Sequence, residues 1–297
     1  MQTEEGEIVA QLPGRMKKEW QDSSLVAVGD WVSLSLNEDG TGSIEEIAER
    51  KSVLSRTRPS AHNRSVNRDQ EQVLVANPDQ VIFVFATKNP FTSLRKLDRF
   101  LVVAEMNNLP AIICVNKLDL VKEEKARQQF GPYEKIGYPV IYTSVKQGHG
   151  VDELRACLKD KISVLTGSSG VGKSSLLNVI QPGLGLKVHE VSKASGKGLH
   201  TTRYAELFPL EMGGYVADTP GIRGLALFDL EPTEVDAYFR EIAPFVPECR
   251  FSDCSHRHEP KCAVRTAVQD GRVSPERYDS YLRLREEHEM LDDRAYD

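Results

Sequence analysis

The sequence has no long apolar segment. No run of about eighteen consecutive apolar residues occurs in its 297 residues, so no segment has the length and hydropathy of a membrane-spanning helix. The N-terminal region also lacks the basic stretch followed by an apolar one that is typical of a secretory signal. These absences predict a cytoplasmic protein without a membrane partner.

Cysteine is scarce and odd in number, with five residues in the chain. A secreted disulfide framework typically has an even number of cysteines in a much shorter chain, so the count argues against that class. Cys114 and Cys157 fall within the predicted α/β scaffold, and we expect both to be core residues. The other three lie close together near the C-terminus.

An excess of positive charge is also lacking. The formal net charge is -6 at pH 7, which alone disfavours nucleic-acid binding. However, the segment from Arg50 to Arg68 carries six basic residues and no acidic one. A clustered basic segment favours contacts with phosphate, although a solvated loop has the same composition.

The length is sufficient for two or three domains, and the pattern changes along the chain. Before residue 55, short β-rich segments are separated by turn residues, which indicates a small all-β module. An OB-like β-barrel has strands of this kind, and an SH3-like barrel would have the same pattern. The predicted strands are residues 7–12, 25–28, 30–36 and 42–47.

From residue 73 onward, β-rich apolar segments alternate with amphipathic ones. This alternation predicts an α/β domain with a parallel sheet and helices on both faces. Ligands of such domains bind beyond the C-terminal ends of the strands. The predicted strands are residues 81–85, 111–115, 140–142, 162–165 and 214–217, and the predicted helices begin near Ser93 or cover residues 122–129, 151–158 and 175–180.

Residues 167–174 match the phosphate-binding loop pattern G-x-x-x-x-G-K-[ST] at every constrained position. The flanking strand and helix direct backbone N–H groups and the positive end of the helix dipole to one spot, which disfavours an ordinary Gly/Ser turn. Lys173 supplies a cation for the terminal phosphates, and Ser174 offers a hydroxyl to Mg²⁺. The candidate nucleotide-binding residues are Gly167, Ser168, Ser169, Gly170, Val171, Gly172, Lys173, Ser174 and Ser175.

The strand at residues 111–115 is followed by Asn116, Lys117 and Asp119 in the pattern N-K-x-D. The Asp119 carboxylate can accept two parallel hydrogen bonds from N1–H and the exocyclic amine of guanine, a donor pair that adenine lacks on that edge. Leaving such donors unpaired costs a few kcal/mol, which is sufficient for strong base selection. The motif therefore predicts a guanine site and disfavours a kinase or an ATPase.

Two further strand ends carry candidate nucleotide contacts. Residues 140–142 are followed by Ser144, Val145 and Lys146, which resemble the S-A-K loop that contacts the guanine carbonyl in GTPases. Residues 214–217 are followed by Asp218 and Gly221 in the pattern D-x-x-G. In that pattern the aspartate holds Mg²⁺ through water and the glycine N–H senses the γ-phosphate.

A threonine pair precedes the D-x-x-G pattern. Thr202 is our candidate for the second Mg²⁺ ligand, and Thr201 is the second choice. Both lie on a loop that we expect the γ-phosphate to order. The predicted magnesium site thus consists of Ser174, Thr202 and Asp218.

Four potential metal ligands follow in the pattern C-x₄-C-x-H-x₅-C. Three thiolates and one imidazole are sufficient for a closed tetrahedral zinc site without an open position, so the predicted zinc ion is structural. Two buried cysteines and a surface histidine are the alternative, which the many polar neighbours disfavour. A helix is predicted at residues 275–290. The candidate zinc ligands are Cys249, Cys254, His256 and Cys262.

The order of the motifs is unusual. An ordinary GTPase has the phosphate loop, the switch threonine, D-x-x-G, N-K-x-D and S-A-K in that order, whereas the last two come first here. With a β-module before it and a Cys/His cluster after it, the chain resembles the circularly permuted GTPases of the ribosome small subunit-dependent GTPase A family. The expected domains are an OB-like β-barrel at 1–54, a basic linker at 55–72, the permuted GTPase domain at 73–227 and a mostly helical zinc-binding domain at 228–297.

The resemblance implies a monomeric, cytoplasmic GTP hydrolase that binds the small (30S) ribosomal subunit and its rRNA. It also implies stimulation by the subunit, a role in late subunit maturation and release when GTP is hydrolysed to GDP. A GTP- or GDP-gated rRNA-binding module with incidental hydrolysis is the alternative. Only residues 1–5 stand where the family has a further strand, so an open barrel is a second possibility for the first domain.

The catalytic residue is not given by these motifs. Many GTPases have a water-orienting glutamine just after D-x-x-G, whereas this chain has Ile222. A hydrophobic side chain cannot polarise water. His200, next to the threonine pair, is our candidate for the catalytic residue, and a solvent-facing histidine without a catalytic role is the alternative.

Overall fold

The computed structural model describes residues 1–3, 6–14, 26–58, 70–91, 93–184, 206–218 and 230–296, with the backbone alone described at residues 56–58, 70–72, 218 and 292–296. The chain divides into two compact units. One comprises Met1–Gln80, Leu158–Val164 and Lys197–Ala226, and the other comprises Val81–Cys157, Leu165–Gly196 and Leu227–Asp297. The domain bounds expected from the sequence at residues 54, 72 and 227 stay predictions.

The N-terminal part of the first unit consists of small sheets. In the three-stranded sheet, β5 is central, parallel to β3 and antiparallel to β4. The other two sheets are the antiparallel pairs β1–β2 and β6–β7. These sheets do not establish a closed barrel, and the OB-like fold stays a prediction. The strands are β1 (Gln2–Thr3), β2 (Gly6–Glu7), β3 (Ala10–Gln11), β4 (Val32–Leu36), β5 (Gly42–Ile47), β6 (Val53–Arg58) and β7 (Gln70–Ala76).

The predicted strand at residues 25–28 is wrong over its described part, which forms a turn. Gly29 has a φ of 95°, and a Cβ at this position would be 2.1 Å from the carbonyl oxygen of Ala76. The backbone N–H of Ala27 donates to the Asp30 carboxylate at 2.7 Å. These turn contacts outweigh the β propensity of the apolar residues.

One arginine of the basic segment forms an ion pair inside this unit. Arg50 donates from Nε and Nη2 to the two carboxylate oxygens of Asp30, at 2.7 and 2.8 Å. The Asp30 side chain is only 1% exposed. This bidentate pair stabilises the turn, so Arg50 does not belong to a phosphate-facing cluster. Residues 59–69 lie outside the described ranges.

The α/β region contains a six-stranded sheet, among the described residues, with the order β10-β9-β8-β11-β13-β12. The pairs β8–β9 and β9–β10 are parallel, as the alternation predicts, with Val81 opposite Ala111 and Val140 opposite Ile113. The pair β12–β13 is antiparallel, and β12 was not predicted. The strands are β8 (Gln80–Ala86), β9 (Ala111–Asn116), β10 (Val140–Tyr142), β11 (Ile162–Thr166), β12 (Glu206–Pro209) and β13 (Tyr215–Asp218).

The helices of this region are α1 (Leu94–Met106), α2 (Glu123–Lys135), α3 (Val151–Leu158) and α4 (Lys173–Ile180). Helix α2 continues through Pro132 and beyond its predicted end at residue 129. Tyr133 is 2% exposed, and its hydroxyl donates to Asp98 of α1 at 2.6 Å. This tertiary contact offsets the cost of a proline inside a helix.

The two scaffold cysteines differ in burial. Cys114 in β9 is buried, as predicted for a core residue, whereas Cys157 in α3 is only half-buried. Burial raises the pKa of the Cys114 thiol to about 12, so it stays protonated at neutral pH.

The C-terminal segment, residues 230–296, is mostly helical. It contains the 3₁₀ helices Pro232–Tyr238 and Ala243–Glu248, then α5 (Ala263–Gln269) and α6 (Pro275–Tyr296), which is longer than predicted. Its core packs Phe239 against Tyr281 in a T-shaped contact with ring centroids 5.8 Å apart. Val102 of helix α1 belongs to the same apolar cluster, so this core is shared with the α/β region.

Candidate nucleotide pocket and metal centre

The phosphate-binding loop connects β11 to α4 and approaches neighbouring groups where only glycine fits. A Cβ on Gly167 would be 2.2 Å from the carbonyl oxygen of Val84, and a Cβ on Gly172 would be 2.3 Å from Nδ2 of Asn116. Both glycines have a positive φ, 157° and 102°. Side chains at these two positions would therefore displace the loop.

Asn116, the last residue of β9, is 2% exposed and joins the N-K-x-D motif to the phosphate loop. Its Nδ2 donates to the carbonyl oxygen of Val171 at 2.9 Å. Its Oδ1 accepts from the hydroxyl of Thr143 at 3.1 Å. The two contacts fix the orientation of the amide, and the role of Thr143 was not predicted from the sequence.

Two lysine ammonium groups also contact the loop backbone. Lys117 has a φ of 63°, and its Nζ donates to the Gly170 carbonyl at 2.7 Å and to the Asn89 carbonyl. Burial lowers the pKa of Lys117, and the Asp119 charge partly opposes this effect. Lys173 donates to the carbonyl of Gly167 at 2.9 Å. Positive charge is thus concentrated at the loop, as a phosphate site requires.

The Asp119 carboxylate is held by Ser144, which lies just after strand β10. Its Oδ1 accepts from the buried hydroxyl of Ser144 at 2.7 Å. An ionised carboxylate has about four acceptor positions, so this one keeps capacity for a paired donor. Next to Ser144, Val145 is half-buried and Lys146 is exposed.

The remaining nucleotide candidates differ in how far the structure describes them. Ser174 and Ser175 lie half-buried in the first turn of α4. Asp218 is described by its backbone alone, as the last residue of β13. His200, Thr201, Thr202, Gly221 and Ile222 lie outside the described residues.

The four predicted metal ligands come together in the C-terminal segment. Their ligand atoms all lie within 4.8 Å of one another. Nδ1 of His256 is 3.3 Å from Sγ of Cys262 and 3.6 Å from Sγ of Cys249, and these two sulfurs are 3.9 Å apart. Ligands about 2.0–2.3 Å from a tetrahedral ion have separations of this size. The cluster therefore fits a single metal ion.

The surroundings of the cluster favour metal binding. Nε2 of His256 lies 2.9 Å from the Asp236 carboxylate, so the proton belongs on Nε2 and the Nδ1 lone pair faces the sulfurs. Burial raises the pKa of the Cys254 thiol to about 12 and also raises the pKa of Cys262. Buried thiolates at neutral pH therefore need a cation. Asp236 lies far from the ligand pattern in sequence, and no local signal identifies it.

The fold and the two sites define a class of protein, a phosphate-loop GTPase with its motifs in permuted order. The RsgA GTPase family profile matches residues 47–228, which is more than half of the chain. The chain belongs to this family, and it is a GTP hydrolase.

Curated relatives and solved structures agree with this assignment. A small ribosomal subunit biogenesis GTPase of Gemmatimonas aurantiaca is 46% identical over 96% of this chain and 92% of its own length. YjeQ from Thermotoga maritima is structurally similar, with a TM-score of 0.77 and 40% identity over 96% of this chain and 91% of that one. YloQ, described as a circularly permuted GTPase, has a TM-score of 0.72 and 34% identity over 97% of this chain and 89% of that one.

Within the described part of the chain, no helix is long and apolar enough to span a bilayer.

Proposed function

We propose that this chain acts in the late maturation of the small (30S) ribosomal subunit, which stimulates its GTP hydrolysis and from which it is released on hydrolysis to GDP. Its relatives in Gemmatimonas aurantiaca and Thermotoga maritima are small ribosomal subunit biogenesis GTPases, which supports a role in small-subunit biogenesis. Binding to the rRNA of the subunit, a monomeric state and a cytoplasmic location belong to the same proposal.

The observation that carries the nucleotide assignment is the hydrogen bond from Asn116 to the Val171 carbonyl. It joins the predicted guanine motif to the predicted phosphate loop, which are more than fifty residues apart. We assign the guanine base to Asn116, Lys117, Asp119, Ser144, Val145 and Lys146 and the phosphates to residues 167–175.

The switch residues are assigned from their motifs. Thr201, Thr202, Asp218 and Gly221 would respond to the γ-phosphate, and Ser174, Thr202 and Asp218 would hold Mg²⁺. When bound there, the ion would supply charge neutralisation for phosphoryl transfer.

Zinc is the metal that the Cys/His cluster would hold. Three thiolates and one imidazole suit Zn²⁺ and leave no open position, so the ion would stabilise the C-terminal segment and take no part in hydrolysis.

His200 is the proposed catalytic residue, because Ile222 occupies the place of the usual glutamine. The test is subunit-stimulated GTP turnover by the wild type and by His200→Ala. We expect a fall of about 100-fold or more for the variant, and a rate within a few-fold of wild type would exclude the assignment.

The broader proposal is tested by multiple-turnover GTP hydrolysis with and without purified small subunits, together with sedimentation under GDP and under a non-hydrolysable GTP analogue. We expect stimulated turnover, and cosedimentation with the analogue but not with GDP. Unstimulated turnover, with binding that follows the nucleotide state alone, would instead support the gated rRNA-binding module.

A further inference from the structure

Lys96 contacts the phosphate loop from outside the nucleotide motifs. It lies in the first turn of helix α1, and its Nζ donates to the hydroxyl of Ser168 at 3.1 Å. The same ammonium lies over the ring of Phe100, 5.3 Å from the ring centroid. Ser168 is the second residue of the loop, so Lys96 acts on the segment whose backbone N–H groups cradle phosphate.

Helix α1 is fixed by a buried ion-pair network on another side. Asp98 is 3% exposed and accepts from Nη1 of Arg277 in α6 at 2.7 Å. Arg277 also donates from Nε to Glu241 at 2.5 Å. The hydroxyl of Tyr133 donates to Asp98 at 2.6 Å, and burial beside Asp98 raises the pKa of Tyr133, so the donor stays protonated.

The strength of this network sets it apart from the other contacts between α1 and α6. The pair Arg95–Asp279 is exposed, and exposed pairs contribute little to stability. The Arg277 side chain is 4% exposed, and removing one partner of such a buried pair is strongly destabilising. The buried network therefore determines the position of the first turns of α1.

Lys96 and Asp98 are two residues apart, and successive helical residues are rotated by about 100°. Their side chains therefore leave α1 in divergent directions, one toward Ser168 and the other toward Arg277. The helix connects the phosphate loop to the C-terminal segment through these two residues.

We propose that Lys96 is a further positioning residue for GTP: from a helix that Asp98 and Arg277 fix to the C-terminal segment, it holds Ser168 and so preorganises the phosphate loop. The loop cradles phosphates that GTP and GDP share. Loss of Lys96 should weaken both nucleotides alike and raise KM for GTP with little change in kcat, as expected when uniform binding is lost.

The experiment measures dissociation constants for fluorescent GTP and GDP, together with KM and kcat. We expect Lys96→Met to weaken both nucleotides by about threefold to tenfold, the range for the net loss of one typical hydrogen bond. Lys96→Arg should recover affinity to within about twofold of wild type. Lys125→Met, an exposed lysine on α2, is the matched control and should match wild type.

Ser168→Ala tests the route of the effect. It should weaken binding to the same degree, and combining it with Lys96→Met should add nothing, because both remove one interaction. Unchanged affinity of Lys96→Met or additive losses would overturn the proposal. A loss confined to GTP would also overturn it, because it would indicate direct contact with the γ-phosphate.

The anchoring step is tested with Arg277→Met, or with the milder Glu241→Gln if the first variant fails to fold. The variant should weaken both nucleotides in the wild-type background and have no further effect in the Lys96→Met background. Wild-type affinity in a folded variant would refute the anchoring role.

Discussion

The base-contact and phosphate-loop residues of the nucleotide pocket lie in the same compact unit as the metal centre, and the two sites are built differently. The pocket is half-exposed, and its cations donate to the backbone of the phosphate loop at Gly167 and Gly170. In the metal centre, His256 is fully buried and Cys254 and Cys262 are nearly so. The pocket thus keeps exchangeable polar contacts, whereas the metal centre has four ligands that face one another.

This difference in burial matches a difference in what the polar groups of the two sites do. Most residues of the pocket, with exceptions such as Asn116 and Ser144, stay near solvent, and its lysine ammonium groups donate to the loop backbone. In the metal centre, burial raises the pKa values of the Cys254 and Cys262 thiols, and a permanent ion would stabilise them as thiolates. Damage to the metal centre should therefore affect folding, and damage to the pocket should affect binding.

The largest expected effect is loss of the metal. Cys262→Ser should abolish one equivalent of bound zinc and destabilise the C-terminal segment by several kcal/mol, since metal-binding free energy contributes to folding in such sites. Metal content and thermal unfolding are the measurements. Cys157→Ser, a half-buried cysteine outside the cluster, should retain the metal, and a Cys262→Ser protein with wild-type melting would contradict the structural role.

The second effect concerns the pocket alone. Asp119→Asn should weaken GTP by about 100-fold or more and shift the preference toward xanthine nucleotides, because an amide presents a donor where the carboxylate accepts. Nucleotide titration measures this effect. Melting and zinc content should stay at wild-type values, as they should in the control Asp152→Asn, whose carboxylate is exposed. Equal binding of ATP and GTP by the wild type would refute the base assignment.

A smaller effect is expected at Asp236, which contacts a ligand of the metal centre and is not itself a ligand. Asp236→Asn should lower zinc affinity by about 10- to 100-fold, since the carboxylate orients the His256 ring. Competition with a chromophoric chelator gives the affinity. The control is Asp253→Asn, an exposed aspartate between two of the ligands, and a similar loss in both variants would remove the special role of Asp236.

Short motifs predicted the Cys/His cluster that the structure brings together, and the nucleotide residues stay a prediction from motifs of the same kind, because ligand spacing and loop chemistry are local properties of sequence. Contacts that depend on distant chain segments were not predictable. Asp236 behind His256, and Thr143 behind Asn116, have no local pattern. The same reason explains the length of helix α2, whose end depends on the contact of Tyr133 with Asp98.

The smallest expected effect lies in the pocket and tests how firmly its base contact is held. Ser144 donates to Oδ1 of Asp119 at 2.7 Å, so Ser144→Ala leaves the carboxylate in place but freer to rotate. Losing one such hydrogen bond costs about 1 kcal/mol, which corresponds to roughly fivefold weaker GTP binding. The preference for guanine should persist, because the accepting oxygens remain.

Titration of GTP and xanthosine triphosphate against Ser144→Ala provides the measurement, with the exposed Ser252→Ala as control. A loss as large as that of Asp119→Asn would mean that Ser144 itself contacts the base. An unchanged affinity would mean that Asp119 is held by its backbone alone. The predicted intermediate value would show that an open pocket depends on single hydrogen bonds for binding, in contrast to the metal centre, where single ligands determine folding.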